Sequence, residues 1–247
     1  MEKLIRCTFD GSFEFNKIHG FYGLQLSNPS VFYEDKGKMN DGTKFWLFID
    51  TPEQISPRKS EVLKAKEDGI KIISLFYDEA RFPLVDQLIS DKLIDKIILF
   101  DKKYENRFSI DTLISDYYLS DMKFPDFNEE RNGEMCYFGH KKYERYLPKD
   151  CVHISKNSLQ GLYKEASLYT KGCVFSTGKG ENGDLIYHNK AKFLEMIFCG
   201  LEVEYQEGIN TINYEEYKNK KILKSDLNDL SEINNKVKSD IYNFICR

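Results

Sequence analysis

The sequence lacks a long hydrophobic run, a paired cysteine motif and an excess of basic residues, and each absence argues against a class of protein. No apolar run reaches the roughly 18 residues that a membrane-spanning helix needs, so no membrane partner is expected. The six cysteines are scattered without a Cys-x-x-Cys pair, which predicts reduced thiols. The four histidines have no ligand spacing, so no residues are predicted as metal ligands. A net charge of −4 gives no support to nucleic-acid binding, although local basic stretches matter more than the sum.

The chain does have short apolar runs that alternate with amphipathic stretches, a pattern typical of α/β proteins. Strands are predicted at 2–8, 45–50, 70–76, 94–100, 135–139, 151–154, 171–175 and 201–205. Helices are predicted at 56–69, 85–89, 159–166 and 190–199, with an amphipathic helical tail over 225–247. Segment 10–42 is predicted to be rich in loops, with a short helix or hairpin near 19–26, and 108–127 to be a helix or an irregular connector.

Strands that alternate with helices predict parallel sheets with right-handed crossovers. Two sets of such units predict two Rossmann-like lobes with a central cleft, residues 1–130 and 131–247, the second carrying the C-terminal helices. Ligands of such folds bind at the carboxyl ends of the strands. The polar N-terminus is unlike a signal peptide, so a cytoplasmic protein is expected.

The segment from His188 to Gly200 has the strongest functional pattern. It is predicted to form a helix that ends at Gly200, with Lys192 and Glu195 on one face near the start of that helix. A cation at a helix N-terminus can hold a pyrophosphate together with free backbone N–H groups, and a carboxylate can accept both hydrogen bonds of a ribose diol. The alternatives are a solvated Lys/Glu pair on an ordinary amphipathic helix, or Lys190 in the place of Lys192.

Two further clusters follow predicted strands. Asp78 comes two residues after the strand at 70–76, and Arg81 and a proline follow it. Gly139 ends the strand at 135–139 and is followed by the basic residues Lys142 and Arg145. Taken alone, an aspartate after a strand can be a loop or helix-capping residue, and basic residues after a glycine can be a solvated helical turn.

The three clusters together resemble the GT-B glycosyltransferases, and within them the bacteriophage DNA β-glucosyltransferases. The resemblance implies that Asp78 is the catalytic base, that Gly139, Lys142 and Arg145 hold the nucleotide diphosphate, and that Lys192 and Glu195 bind the phosphates and the ribose. The spacing from aspartate to arginine is one residue longer here than in that family, and Lys142 stands where the family has an arginine.

The resemblance also implies an inverting transfer of a sugar, glucose in the first place, from a UDP-sugar to a hydroxymethylated pyrimidine in double-stranded phage DNA. The implied fold is GT-B, with an acceptor-side first lobe and a nucleotide-sugar-binding second lobe. UDP-glucose is the implied donor, and a divalent cation (Mg²⁺ or Mn²⁺) is compatible with it. A monomer in the host cytoplasm is expected.

Acceptor contacts have weaker signals. Arg81, Arg58 and Lys59 are candidates for contacts with DNA, and Asp50 is the second candidate for the base, ahead of Asp10 and His19. Other basic and aromatic residues of the first lobe could meet phosphates or stack on a displaced base, or could simply anchor a loop: Lys36, Lys38, Lys44, Phe13, Phe15, Phe21 and Tyr22. Competing functions are a GT-B transferase for a glycan, lipid or protein acceptor and a non-catalytic nucleotide-binding protein.

Overall fold

The computed structural model describes residues 4–77, 79–120, 124–139, 141–174, 178–179, 185–186, 189–205 and 213–247. The chain divides into two compact units, residues 1–121 with 235–247 and residues 122–234. The division therefore falls ahead of the boundary expected at 130, and the end of the chain belongs to the first unit. Residues near the end of the chain belong to the first unit because they pack on it. Tyr242 contacts the ring of Phe32, and the carbonyl of Phe244 accepts a hydrogen bond from Lys96 Nζ at 2.8 Å.

The first unit is built on a six-stranded parallel sheet. Its strands are β1 (Leu4–Phe9), β2 (Phe32–Glu34), β3 (Thr43–Ile49), β4 (Lys71–Leu75), β5 (Lys96–Leu99) and β6 (Asp111–Ile114). Its helices are α1 (Gly23–Ser27), which follows a π-helical turn at Asn16–Tyr22, and α2 (Lys59–Glu67) and α3 (Phe82–Ser90). The strand order is β2-β1-β3-β4-β5-β6, which is the order of a doubly wound sheet.

Both faces of this sheet are covered, as the nearly continuous apolar sequence of β3 requires. On one face Trp46 and Phe48 pack with Val62 of α2 and with neighbouring aliphatic side chains in one buried cluster. An aromatic cluster includes Tyr77, whose ring centroid lies 4.7 Å from that of Phe100 and 5.4 Å from that of Tyr117. Hydrophobic burial on both faces thus fixes the strands of the first unit.

The second unit has a smaller parallel sheet of four strands in the order β12-β9-β7-β8. The strands are β7 (Met135–Tyr137), β8 (Cys151–His153), β9 (Lys171–Val174) and β12 (Glu202–Tyr205), and a separate antiparallel pair joins β10 (Gly178–Lys179) to β11 (Leu185–Ile186). The helices are α4 (Leu159–Ala166) and α5 (Asn189–Phe198), and α6 (Asp226–Cys246) runs on into the residues of the first unit.

The prediction of an α/β chain with parallel sheets is confirmed, and α4 has the predicted bounds. Of the short helix or hairpin expected near 19–26, the helix is present, within the helical residues 16–27, whereas four short strands were not predicted: β2, β6, β10 and β11. Strand β2 has three residues, and β6 begins with an exposed aspartate and lies at the sheet edge, so neither has a continuous apolar run. The tail forms one helix, α6. Among the described residues, no helix combines the length and the apolar sequence needed to cross a membrane.

A buried ion cluster ties β1 to the segment that follows β2. The fully buried guanidinium of Arg6 pairs with Asp35 at 2.5 Å and with Glu61 of α2 at 2.7 Å, and it stacks on Trp46 at 4.1 Å from the ring centroid. Burial alone would raise the pKa of the Asp35 carboxyl. Hydrogen bonds from Thr8, Arg6, the Gly37 N–H and Arg58 outweigh that effect and hold the pKa at about 2.

We expect Asp35 to contribute about 2 kcal/mol to the loss of the free energy of unfolding when the pH drops from above 4 to below 2. The lowered pKa of Asp35 contributes stability that is complete above its unfolded value of 3.8 and is lost as the pH falls through about 2. Urea unfolding at a series of pH values measures the slope of the free energy of unfolding against pH. The variant Asp35→Asn should flatten it, and an equal slope in both proteins would contradict the assignment.

Candidate functional site

Each of the two parallel sheets reverses its strand order at one point, and ligands of doubly wound folds bind outside the carboxyl ends of the strands at that point. In the second unit the reversal lies between β7 and β9. Phe138 and Gly139 follow β7 there. Helix α5 is the next helix after β9, and it carries two of the predicted donor-site residues.

Lys192 and Glu195 form an ion pair on α5, with Lys192 Nζ 2.7 Å from Glu195 Oε2. The other carboxylate oxygen accepts a hydrogen bond from the Tyr163 hydroxyl of α4 at 2.6 Å. The carboxylate is fully buried, whereas Lys192 is 28% exposed and its ammonium lies 5.0 Å from the ring centroid of Phe138. The structure therefore brings Lys192 and Glu195 next to the residue that precedes Gly139.

The turn after β7 is also held by β8. His153 Nε2 lies 3.1 Å from the carbonyl oxygen of Gly139, and the rings of His153 and Tyr137 are 5.5 Å apart. A Cβ on residue 139 would overlap the Tyr137 hydroxyl, so this position favours glycine.

The two basic residues expected after Gly139 lie in a short helical segment, Lys141–Tyr146. The guanidinium of Arg145 is on the surface, 4.8 Å above the exposed ring of Tyr146. Lys142 lies in the same segment by its backbone. Arg145 thus places a surface cation in the segment that follows the turn, as a diphosphate site would need.

In the first unit the strand order reverses between β1 and β3, and Asp50 lies directly after β3 at that point. Its backbone has a φ of +54°, in the left-handed region, and its N–H donates to the Leu75 carbonyl at 2.6 Å. The carboxylate accepts hydrogen bonds from Asn16 Nδ2 at 3.2 Å and from the Tyr77 N–H at 3.4 Å. Residues held in this backbone region cluster at functional sites.

Burial raises the pKa of the Asp50 carboxyl, and the effect outweighs the opposing influence of Arg81, Asn16 and the Tyr77 N–H. Arg81 donates to the backbone carbonyl of Asp50 and lies 3.5 Å from its carboxylate. A carboxylate with a raised pKa next to a cation, at the carboxyl end of a strand, can accept a proton from a hydroxyl group.

Asp78 lies outside the described residues, so the structure adds nothing to its predicted role. Asp10 accepts hydrogen bonds from Ser12 within its own turn. His19 is buried, and its Nδ1 accepts a hydrogen bond from the Ser120 N–H at 3.1 Å. The Asp10 contacts are therefore local, whereas His19 contacts a residue 101 positions away in the sequence.

The three candidates for DNA contacts are in ion pairs. Arg81 also pairs with Glu53 at 3.1 Å, Arg58 pairs with Asp35, and Lys59 lies 3.7 Å from Asp91. Arg58 and Lys59 are neighbours at the start of α2, whereas Arg81 contacts the turn after β3. Each of the three cations is therefore already paired with a carboxylate.

Sequence reasoning missed two polar residues, Tyr163 and Asn16, which contact Glu195 and Asp50. Tyr163 lies on the apolar face of α4, where a tyrosine is expected to be a core residue. Asn16 lies in a segment that was predicted to be rich in loops. Neither position has a local signal, because each partner is distant in sequence.

Within the described ranges, no group of three or more His, Cys, Asp or Glu side chains is placed to hold a metal ion. All six cysteines are thiols, and burial raises the pKa of Cys199 well above its usual value. No protein-family model matches this chain, and a search of curated proteins found no significant match.

Proposed function

We propose that the protein is an inverting glycosyltransferase that moves a sugar, glucose in the first place, from a UDP-sugar to a hydroxymethylated pyrimidine in phage DNA. The observation that carries the proposal is the Lys192–Glu195 pair beside the Phe138–Gly139 turn, at the β7/β9 reversal where doubly wound sheets bind ligands. Two α/β units, each with its own parallel sheet, support the GT-B architecture that this function implies.

The second unit would bind the donor. The partly exposed ammonium of Lys192 and the guanidinium of Arg145, with Lys142, would neutralise the diphosphate, which gains negative charge as the glycosidic bond breaks. Glu195 would accept hydrogen bonds from the ribose. One oxygen accepts a hydrogen bond from Tyr163 and the other faces Lys192 Nζ in an ion pair, so ribose binding would require Lys192 to turn from the carboxylate toward the phosphates.

The first unit would bind the acceptor. A carboxylate takes the proton of the hydroxymethyl group as its oxygen attacks the anomeric carbon, and the bond from that carbon to the UDP oxygen breaks on the opposite face. The products are the inverted glycoside, UDP and a protonated carboxyl group that returns its proton to solvent. Asp78 is the first candidate for this base. Asp50 is the second, and its raised pKa and its strand-end position support it.

The test is a transfer assay with labelled UDP-glucose and duplex DNA that contains cytosine, 5-hydroxymethylcytosine or 5-hydroxymethyluracil. We expect label in DNA only where a hydroxymethyl group is present. Transfer to a glycan, lipid or protein but not to DNA would mean that the acceptor is that molecule. UDP binding without turnover on any acceptor would indicate a non-catalytic nucleotide-binding protein. Absence of UDP binding would refute the proposal.

We expect Glu195→Ala to weaken UDP-sugar binding by about 1.5–3 kcal/mol, because a charged acceptor for the ribose hydroxyls is lost. Calorimetry with UDP measures the change. Tyr163→Phe is the matched control, because it removes one hydrogen bond to the same carboxylate and leaves the pair with Lys192. Glu195→Gln preserves the buried shape and separates a folding defect from a binding defect. An unchanged UDP dissociation constant in Glu195→Ala would refute the ribose contact.

A further inference from the structure

A cavity of about 560 Å³ opens in the first unit, beside the end of β2. Its size falls within the roughly 300–1,000 Å³ of sites for small molecules. The lining is mixed rather than apolar, with tyrosine rings, amides and lysines. The wall includes Tyr22, Gln25, Tyr33, Lys36, Lys38 and Asn40, together with the carboxylate of Glu34.

The aromatic part of the wall is held in place. The Tyr33 hydroxyl lies 2.7 Å from Thr43 Oγ1 and accepts a hydrogen bond from the Asn40 N–H at 3.1 Å, so its ring has a fixed position. Tyr22 packs on the buried ring of Phe21 at a centroid distance of 5.2 Å. Both tyrosines are half-buried. Fixed, partly accessible rings are platforms on which nucleobases stack.

The cationic part of the wall is also positioned by the fold. Lys36 and Lys38 are exposed and flank Gly37, whose N–H donates to Asp35 at 2.9 Å. Asp35 in turn is held by Arg6, so the buried ion cluster anchors the lysine-bearing turn. Across the described residues, neither lysine is shown in an ion pair. Ammonium groups on an anchored turn can contact phosphate groups.

The side-chain amides of Gln25 and Asn40 can form hydrogen bonds with the polar edge of a nucleobase. Gln25 Nε2 donates to the Phe32 carbonyl at 3.3 Å, which orients the amide and leaves its carbonyl oxygen as an acceptor. The Asn40 side chain is exposed at the wall. Glu34, the one carboxylate among the lining residues, can accept from an exocyclic amino group. Stacking, base-edge contacts and phosphate contacts are therefore available in one cavity.

We propose that this cavity binds one nucleotide of a nucleic acid strand, with the base against Tyr22 and Tyr33 and the flanking phosphates at Lys36 and Lys38. The shared ligand chemistry is an aromatic base with phosphate. The choice of a polynucleotide over a free nucleotide rests on the proposed function, whose acceptor is DNA.

The test measures binding of a fluorescent single-stranded oligodeoxynucleotide and of free dCMP over a range of salt concentrations. We expect Tyr22→Ala to weaken oligonucleotide binding roughly five- to hundredfold, the size of one lost base–aromatic stack. The double variant Lys36→Gln/Lys38→Gln should weaken it and reduce the slope of log K against log salt by about 1.4, because each phosphate contact contributes about 0.7.

The matched control is Lys64→Gln/Lys71→Gln, which removes the same charge from exposed positions of the first unit outside the cavity. Wild-type binding in this control, with loss in the two cavity variants, supports the proposal. Equal loss in both double variants, or wild-type affinity in Tyr22→Ala, overturns it. Competition by free dCMP as tight as by the oligonucleotide would overturn the choice of a polynucleotide.

UDP binding, measured in the same proteins, separates this site from the proposed function. Oligonucleotide binding that depends on Tyr22, without any UDP binding, would keep the cavity site and refute the glycosyltransferase. UDP-glucose turnover on hydroxymethylated DNA, with both turnover and oligonucleotide binding unchanged in the cavity variants, would support the enzyme and refute the cavity site.

Discussion

Replacement of Asp78 by asparagine is expected to slow single-turnover transfer to hydroxymethylated DNA by about a hundredfold to ten-thousandfold, the usual cost of a lost general base. Asparagine has nearly the same size and can still form hydrogen bonds, but it cannot take the proton of the hydroxymethyl group. UDP affinity should stay close to wild type, because the proposed donor contacts lie in the other unit. Quenched-flow transfer, UDP calorimetry and thermal melting measure the three quantities.

Asp50→Asn is the matched comparison for this experiment. Asparagine tolerates the left-handed backbone that Asp50 adopts, so the substitution changes the charge more than the fold. If Asp78 is the base, transfer in Asp50→Asn should fall much less than in Asp78→Asn. The reverse order would assign the base to Asp50, and a loss of folding or UDP binding in Asp78→Asn would make Asp78 a structural residue.

Replacement of Gly200 by alanine is expected to lower the free energy of unfolding by about 2–4 kcal/mol. Gly200 follows α5 with a φ of +81°, a backbone conformation that costs about 1–3 kcal/mol in residues other than glycine. A Cβ there would also lie 2.5 Å from Cδ1 of the buried Phe127 ring, and such overpacking costs about 1–3 kcal/mol. Urea unfolding measures the loss.

Gly133→Ala provides the control within the same unit. Its φ is +76°, but no atom lies within 4 Å of the position that its Cβ would take. This variant should show the backbone cost without the clash, and should therefore be more stable than Gly200→Ala. Equal losses would mean that Phe127 moves aside at little cost. The Gly200 variant should also bind UDP less well, because α5 carries Lys192 and Glu195.

Local sequence patterns were enough to predict many of the strands and helices. The apolar runs of β3 and β4 and the amphipathic segments of α4 and α5 predicted strands and helices within a few residues of those observed. These elements are long or strongly periodic, and burial of their apolar faces is a local property of the sequence. Gly200 predicted the end of α5 because only glycine takes a positive φ there without strain.

The sequence alone also placed Asp50 at the end of a strand and put Lys192 and Glu195 on one helical face. Only the tertiary structure decided what surrounds them, because partners such as Asn16 for Asp50 and Tyr163 for Glu195 lie more than thirty residues away, as the sequence separations of 34 and 32 show. The strand orders that bring these partners together depend on long-range pairing and packing, which no local pattern encodes. The cavity at the end of β2 has the same origin, since it joins a helical segment and a lysine-bearing turn across an edge strand too short to be predicted.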